Sequence, residues 1–346
     1  MLLAVLFVTP PAHARGATAR TVVGMRQVLD IACRPGGTCL GVGNNGQQGA
    51  VVLLNASGTI GPVRVVAGTT GLQSVLCPPV GPCLAVGQGP TAGVVVELSS
   101  DGTPGVVRLV GATGLHDVAC PTSTTCLAVG RIESGSTAHP SSSPTPVYVV
   151  ITNGQPGRAR AFPQGTSSLI SGIACPTATR CLAVGQGSVA LLSSANGAWG
   201  ATLARDPSSW TAGSGFPTQD ISCPSATVCH VTASDSIATP EGSFSVPATM
   251  ELTPDGVAKP VRRLSDRSGQ LYGISCVAAG TCTVVGLDNV TAQGQSFHLS
   301  GGTLTGWVLW ANSNYMSGVS CTAAQSCGLA GTMPLYGVFG WWGPIA

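Results

Sequence analysis

The fourteen cysteines of this chain fall into seven pairs, and the two members of every pair are separated by five residues. The pairs are Cys33/Cys39, Cys77/Cys83, Cys120/Cys126, Cys175/Cys181, Cys223/Cys229, Cys276/Cys282 and Cys321/Cys327. The first cysteines of successive pairs lie 44, 43, 55, 48, 53 and 45 residues apart. Self-similarity at such a period indicates a repeat architecture with seven units.

Each repeat contains four short segments of strand-like composition. The first ends at the first cysteine and carries Val or Ile two positions before it, and the second begins at the second cysteine, as in Cys83-Leu-Ala-Val-Gly87. A Pro/Ser/Thr/Gly-rich turn joins them, which predicts a hairpin. Runs such as Val94-Val-Val-Glu97 and Val106-Val-Arg-Leu-Val110 supply a third and a fourth strand. Because four strands per repeat are typical of a propeller blade, we predict an all-β, seven-bladed β-propeller with four antiparallel strands per blade.

The last repeat ends after its third predicted strand, and an unused strand lies near the N-terminus. The segment Ala19-Arg-Thr-Val-Val23 resembles a fourth strand, so we expect residues 18–24 to complete the seventh blade. This pairing would close the ring and remove an exposed sheet edge. The predicted blades cover residues 28–68, 71–111, 114–163, 169–206, 217–266, 270–312 and 315–343.

Residues 1–14 form a short apolar stretch that ends in a small-x-small site, which is typical of a secretory signal peptide. The basic segment that normally precedes such a stretch is missing, so either the true start lies upstream or the segment is a truncated anchor. We expect a secreted, extracellular or cell-envelope protein with one propeller domain over residues 15–346.

Two chemical interpretations of the cysteine pairs are possible. Cross-strand residues at the root of a hairpin have Cα atoms about 4.5 to 5.5 Å apart, within the range of a disulfide. Metal sites normally use a two- to four-residue spacing and a second ligand pair nearby. An even cysteine count in an exported chain also favours disulfides, so we predict one disulfide per blade, no metal and no cofactor.

Composition restricts the partners of this protein. Only 8% of the 346 residues are charged and the net charge is +2, so no basic surface for nucleic acid is indicated. No apolar run approaches the roughly 18 residues of a membrane-spanning helix. We expect a monomer, because a propeller buries both faces of each blade within one chain, and a glycan or an extracellular protein as the ligand.

The repeats resemble those of a group of secreted bacterial seven-bladed propellers, whose blades carry Ser-Cys-Pro, four residues and Cys-x-Ala-Val-Gly. The strongest matches are Val118-Ala-Cys-Pro-Thr-Ser-Thr-Thr-Cys-Leu-Ala-Val-Gly130 and Ile173-Ala-Cys-Pro-Thr-Ala-Thr-Arg-Cys-Leu-Ala-Val-Gly185. The group is related in shape to the BNR/Asp-box and YVTN-type propellers, and Ser99-Ser-Asp-Gly-Thr103 looks like a decayed Asp-box. The resemblance implies the fold and carries over no catalytic residue.

Variation in repeat length indicates which face binds a ligand. It falls in the connections between second and third strands and between successive blades, which share one face, and variable loops on a rigid scaffold commonly bind ligands. Trp210 and Phe216 lie in the long connection that enters blade 5. They are interpreted either as a platform for a sugar or peptide or as side chains folded back over the blade edge.

Four further candidates, His116, Asp117, Asp220 and Tyr272, enter first strands at the same rim, and Asp30 is the equivalent of the two aspartates in blade 1. The acids could bind a cation in the channel, remain solvated or cap neighbouring backbone N–H groups. His230 follows a cysteine within a second strand, which favours a packed substitute for leucine over a ligand.

A glycoside hydrolase is the alternative to a non-catalytic binding module. It would need two carboxylates about 5 to 9.5 Å apart across a cleft, and a sialidase-like site would need three arginines and a tyrosine. The rim contains the residues Arg26, Arg131, Arg205, Arg267, Glu133, Glu241 and Tyr272. No motif fixes their mutual geometry, so we predict a binding or scaffold propeller and leave enzyme activity open.

Overall fold

The computed structural model describes residues 17–55, 58–78, 81–133, 143–186, 188–204, 219–239, 242–324 and 326–342. These residues form seven antiparallel sheets that follow one another around a ring, which confirms the predicted seven-bladed propeller. The described part of the chain contains no helix that could cross a membrane.

The strands of blades 1 to 4 are β3 (Gln27–Cys33), β4 (Cys39–Asn44), β5 (Gly49–Leu54) and β6 (Ile60–Val66); β7 (Gly71–Leu76), β8 (Cys83–Gln88), β9 (Gly93–Leu98) and β10 (Pro104–Val110); β11 (Gly114–Ala119), β12 (Thr125–Ile132), β13 (Thr145–Thr152), β14 (Gln155–Pro156) and β15 (Arg160–Ala161); and β16 (Ile170–Thr177), β17 (Arg180–Gly185), β18 (Ser188–Ala195) and β19 (Ala198–Leu203). In blade 3 the fourth strand is divided into β14 and β15, which both pair with β13.

The strands of blades 5 to 7 are β20 (Ile221–Ser225), β21 (Val228–Thr239), β22 (Gly242–Leu252) and β23 (Arg262–Arg263); β24 (Gly269–Ala278), β25 (Thr281–Asp288), β26 (Gln293–Ser300) and β27 (Thr303–Ala311); and β28 (Tyr315–Ala323), β29 (Ser326–Thr332) and β30 (Gly337–Trp342). The N-terminal strands are β1 (Ala17–Thr18) and β2 (Arg20–Val22).

The N-terminal segment closes the ring as predicted. Strand β2 pairs antiparallel with β30 and supplies the fourth strand of blade 7. Strand β1 pairs in parallel with β27, so the segment also contacts blade 6. Val22 and Met25 are buried against core residues of blade 1. The first described residues are therefore a packed part of the propeller.

Burial changes from the centre of each blade to its edge. The second and third strands, such as β8 and β9, are buried almost throughout, whereas the fourth strand exposes residues such as Val106 and Leu109. The buried clusters combine residues of neighbouring blades, as when Val51 of blade 1 packs with Val94 of blade 2. The inner strands read as continuous apolar runs because both of their faces are covered.

A glycine near the end of the second strand recurs in six blades for a steric reason. In six blades the first strand contains a β-bulge, and there it passes directly over this glycine. A Cβ added at Gly130, for example, would lie 2.1 Å from the carbonyl oxygen of Gly114. Similar distances of 1.9 to 2.4 Å hold for Gly43, Gly87, Gly185, Gly286 and Gly331. Close backbone approach, which only glycine permits, therefore explains this repeat position.

All seven predicted disulfides are present, one per blade, and each joins the two cysteines of one repeat. The bridges are Cys33–Cys39, Cys77–Cys83, Cys120–Cys126, Cys175–Cys181, Cys223–Cys229, Cys276–Cys282 and Cys321–Cys327. No cysteine is free. The disulfide interpretation of the cysteine pairs is therefore confirmed for every blade.

The expected geometry of these bridges needs a correction. Their Cα atoms are 3.8 to 4.1 Å apart, closer than the 4.5 to 5.5 Å expected from the sequence. In blade 1 the Arg34 N–H donates to the Thr38 carbonyl at 2.8 Å. The adjacent Cys33–Cys39 pair therefore occupies a non-hydrogen-bonded position, where opposed residues approach most closely.

The start of the second strand also differs from the prediction in five blades. The second cysteine opens this strand only in blades 1 and 2. In blades 3 to 7 the strand begins one residue earlier, so the second cysteine is its second residue; these cysteines are Cys126, Cys181, Cys229, Cys282 and Cys327. The prediction that the strand begins at the cysteine is wrong there.

The cause is the pairing of the residue that precedes the second cysteine. In blades 4 to 7 this residue still pairs with the first strand across the turn, as Arg180 does with Thr177 and Val228 with Ser225. In blade 3 it pairs with the third strand instead. In blade 2 the residue is Pro82, which has no N–H to donate to a ladder.

The residue after the second cysteine packs toward the disulfide of the next blade. In blades 1 to 4 it is a leucine in the same buried cluster as that disulfide. In blade 6 the Thr283 hydroxyl lies 3.2 Å from Cys327 Sγ, and in blade 7 a Cβ on Gly328 would lie 2.8 Å from Cys33 Sγ. His230 takes this place in blade 5, where it is only 4% exposed and its Nε2 accepts the Gly280 N–H at 3.1 Å.

Candidate functional site at the mouth of the central channel

The first strands of all seven blades line a central cavity of about 370 Å³. One residue from each blade, four positions before the first cysteine, forms a ring in this cavity that we call the mouth ring. All of its members are half-buried. They are Leu29, Gln73, His116, Ser171, Gln219, Tyr272 and Ser317. In six blades this residue is the extra residue of the β-bulge, so the bulge directs it toward the channel.

Four of the predicted site residues meet in this cavity: His116, Asp117, Asp220 and Tyr272. Asp30 lies there as well. Trp210 and Phe216 are outside the described residues.

The disulfides of blades 3 to 5 contribute to the wall of the cavity through one cysteine each. The first cysteines Cys120, Cys175 and Cys223 line it. Their partners lie one strand further out and do not line it; these are Cys126, Cys181 and Cys229. Because both sulfur atoms of each bridge are bonded to each other, these cysteines support the cavity as structural residues.

The arginines proposed for a sialidase-like site do not converge. Arg131 forms an ion pair with Glu133, and Arg267 pairs with Asp288 and lies over the Trp307 ring. Arg26 is exposed at the surface. None of these three lines the central cavity. Arg205 and Glu241 lie outside the described residues.

Three aspartates, which we call the bridging aspartates, join consecutive blades. Asp30 accepts the N–H groups of Ile31 and of Val75 in blade 2, both at 2.8 Å. Asp117 accepts those of Val118 and of Ile173 in blade 4 at 2.8 and 2.7 Å, and the Ser74 hydroxyl at 2.7 Å. Asp220 accepts those of Ile221 and of Ile274 in blade 6 at 2.7 and 2.9 Å. The carboxyl groups thus cap backbone N–H groups, one of the functions expected from the sequence.

Glycine at the same repeat position makes room for these carboxyl groups. A Cβ added at Gly172 of blade 4 would lie 2.9 Å from Asp220 Cα. One added at Gly318 of blade 7 would lie 2.8 Å from both Cα and Oδ1 of Asp30. The first strands are therefore too close to carry a larger side chain in every blade, and the aspartates are spaced by smaller residues.

The environment of the channel favours neutral side chains. Burial, together with the charge of Asp117, raises the pKa of Asp30 from 3.8 to about 7. Burial is also the main cause that raises the pKa values of Asp117 and Asp220. Burial and the positive charge of Arg131 lower the pKa of His116 to about 4, so this imidazole is uncharged at neutral pH.

Tyr272 belongs to an aromatic pair with Tyr315 of blade 7. Their ring centroids are 5.5 Å apart and the planes are inclined by 66°. The Tyr272 hydroxyl donates to Gln270 Oε1 at 3.0 Å, and Gln27 Nε2 donates to the Tyr315 hydroxyl at 3.4 Å. The sequence interpretation missed Tyr315, Gln27 and Gln270. All three lie six positions before a first cysteine, so an alignment of the repeats by cysteine could have grouped them.

A second cluster contains residue types that commonly bind metals, but its two cysteines form a disulfide. His230 lies with Cys276 and Cys282 so that one ligand atom of each is within 4.8 Å of the others. The two sulfur atoms are bonded to each other in a disulfide. Because the thiolate is the form of cysteine that binds metals, this cluster is not a metal site in its oxidised form.

No family model and no curated protein matches the sequence. Solved structures with the same fold include a streptogramin B lyase, with 9% identity, a TM-score of 0.61 and coverage of 94% of this chain and 97% of that one. Another is YCF48 bound to D1 peptide, with 9% identity, a TM-score of 0.57 and 97% of both chains covered. A third is the GH74 xyloglucanase from Xanthomonas campestris, with 10% identity, a TM-score of 0.59 and coverage of 94% of this chain and 53% of that one. At these identities the likeness shows the propeller fold alone.

Proposed function

We propose that this protein is a non-catalytic binding propeller that holds its ligand at the mouth of the central channel. The observation that carries the proposal is the mouth ring, in which seven blades direct one side chain each into a single cavity. Such a concave site with a few convergent polar groups on a rigid scaffold is the usual form of a ligand site. Tyr272 supplies an aromatic ring at the same place, and Tyr315 of blade 7 packs against that ring.

The proposal includes export and an extracellular or cell-envelope location. Seven disulfides suit an oxidising compartment, and residues 1–14 have the pattern of a signal peptide ahead of the domain over residues 15–346. We further propose membership in the Cys-paired group of secreted propellers, as a monomer. The turn at Ser99–Thr103 supports an Asp-box origin, because Asp101 accepts the Thr103 N–H at 3.2 Å within it.

The structural neighbours support a binding role because proteins of this fold accept ligands of different classes. One was solved with a peptide and another is a xyloglucanase. On the present chain the candidate ligands are accordingly a glycan or an extracellular protein segment. Trp210 and Phe216 are proposed as additional contacts from the connection that enters blade 5.

The proposal is tested by calorimetric titration of the purified protein with cell-wall polysaccharide fragments and extracellular peptides. Tyr272→Ala is expected to weaken binding of any ligand by at least about tenfold, because it removes a central aromatic contact. Tyr336→Ala is the matched control, since Tyr336 lies in the β29–β30 turn outside the cavity. Trp210→Ala tests the blade 5 connection separately. Equal effects of Tyr272→Ala and Tyr336→Ala would contradict a ligand site at the channel mouth.

Glycoside hydrolysis is the second candidate, because three carboxyl groups line the same cavity and their pKa values are raised, as in general acids of glycosidases. Fluorogenic glycosides test it directly. Turnover that Asp117→Asn abolishes in a folded variant would establish hydrolysis and overturn the non-catalytic proposal.

A further inference from the structure

We infer that the ligand of the channel mouth is an uncharged saccharide. This inference rests on the proposed function and adds the chemical class of the ligand. It is drawn from the hydrogen-bonding character of the mouth ring, from the aromatic pair beside it and from the charges around the cavity.

The mouth ring consists almost entirely of groups that can both donate and accept hydrogen bonds. Its amides (Gln73, Gln219), hydroxyls (Ser171, Tyr272, Ser317) and neutral imidazole (His116) all belong to this chemical class, and only Leu29 does not. The Tyr272 and Ser317 hydroxyls already donate to Gln270 Oε1 and to the Val28 carbonyl, so each offers a ligand its acceptor side. Sugar hydroxyls also donate and accept at the same atom. A ring of bifunctional side chains can therefore match them in many orientations, which a set of pure donors or pure acceptors could not do.

The aromatic pair lies on one side of this ring. Tyr272 and Tyr315 come from blades 6 and 7, and their rings are inclined at 66° to each other. Both residues are half-buried and held by amide partners, Gln270 and Gln27. Tyr272 is the member of the pair that lines the cavity, and Tyr315 packs against it from blade 7. The apolar C–H face of a pyranose packs on such a ring while its hydroxyls reach polar groups.

Charge excludes most other small ligands from the cavity. Among the described residues, no lysine, arginine or glutamate lines it. An anionic sugar or a phosphate would thus find no cationic partner in the lining, and Arg131, the cation that acts on His116, is already paired with Glu133. A peptide terminus would lack a counter-charge for its carboxylate, and Leu29 is the only apolar member of the ring for its side chains. The cavity of about 370 Å³ lies within the range of about 300 to 1,000 Å³ usual for small-ligand sites.

The test compares three classes of probe by calorimetric titration of the whole protein. They are uncharged oligosaccharides (gluco-, manno-, galacto-, xylo- and arabino-oligomers), uronic-acid oligosaccharides, and peptides of extracellular composition. The variants are Tyr272→Ala and Gln73→Leu, with Tyr336→Ala as control. Leucine is compatible with the ring, since Leu29 occupies the same position in blade 1. Thermal unfolding of each variant verifies that it folds.

We expect binding of at least one uncharged oligosaccharide, weakened about tenfold or more by Tyr272→Ala, about three- to tenfold by Gln73→Leu and not by Tyr336→Ala. If only peptides or uronic acids bind, and Tyr272→Ala abolishes their binding, the channel site stands and the saccharide inference is overturned. Absence of any binding, or binding that neither channel variant changes, overturns both.

Discussion

Asp30, Asp117 and Asp220 contribute to the ring through backbone contacts between blades. Each carboxyl group accepts one N–H from its own strand and one from the following blade. Burial disfavours the charged carboxylate and so raises the pKa of these side chains. They therefore keep their proton at pH values at which an exposed aspartate has lost it. The contacts between blades that these side chains make should therefore depend on pH.

The first prediction concerns Asp30→Asn. The pKa of Asp30 is about 7 in the folded protein and 3.8 ordinarily. Between these values the folded state binds more protons, so the stability that protonation contributes is present at low pH and lost as the pH rises through 7. From pH 5 to pH 8 the wild type should therefore lose about 3 kcal/mol of unfolding free energy relative to Asp30→Asn. Histidine titration is common to both proteins and cancels, whereas loss of the Asp30 charge also reduces the upward shift of the Asp220 pKa and enlarges the difference in the same direction.

Urea unfolding at the two pH values measures this difference. Asp255→Asn is the control, because Asp255 is 68% exposed in an ion pair with Arg180 and should change stability by less than about 1 kcal/mol. A wild type and an Asp30→Asn variant with the same pH dependence would contradict the raised pKa.

At the scale of the strand, the bulge in the first strand and the glycine near the end of the second strand occur in the same six blades. The bulge directs a side chain into the channel, and it brings the backbone of the first strand over the second. Where the glycine is present, as at Gly130, the carbonyl of Gly114 occupies the space of a Cβ. The glycine of the repeated Ala-Val-Gly motif therefore leaves room for the bulge that forms the mouth ring.

Gly130→Ala should consequently destabilise the protein by about 3 kcal/mol, since the new methyl group overlaps backbone atoms that cannot rotate away. Gly200→Ala, in edge strand β19, should change stability by less than about 0.5 kcal/mol, because nothing lies within 4 Å of its Cβ position. Thermal and urea unfolding of the two variants measure the contrast. A Gly130→Ala variant as stable as Gly200→Ala would rule out the steric explanation.

The sequence predicted those features that depend on one repeat at a time. The cysteine spacing indicated the blades and their disulfides, and the leftover strand at Ala19–Val23 indicated the ring closure, because each is visible within a few residues. Contacts between blades were not visible. The Asp30 carboxyl group accepts the Val75 N–H, and the Tyr272 ring contacts the Tyr315 ring. Both contacts depend on how the first strands of neighbouring blades are staggered around the channel.

At the scale of the whole molecule, no disulfide joins two blades, so the ring depends on non-covalent contacts. Closure combines strand β2 in blade 7, the burial of Val22 and Met25, and the bond from the Cys33 N–H to the Ser320 hydroxyl at 2.9 Å. Loss of β2 would expose the edge of β30. We therefore expect the N-terminal strand to stabilise the complete ring.

Val22→Asp and Val23→Asp form a matched pair that tests this dependence. Val22 is 0% exposed and Val23 is 80% exposed. An unpaired charge at position 22 should destabilise the protein by about 4 kcal/mol, whereas the same change at position 23 should alter stability by less than about 0.5 kcal/mol. The midpoint of thermal unfolding reports both effects, and similar midpoints would show that β2 is dispensable.

The short span of each disulfide has a consequence for how the chain matures. The two cysteines of a bridge are six positions apart, so each bridge can form as soon as its own hairpin is present in an oxidising environment. Joining cysteines of different repeats requires a much longer loop and a larger loss of chain entropy. Loop entropy therefore favours the correct pairing of the fourteen thiols, hairpin by hairpin.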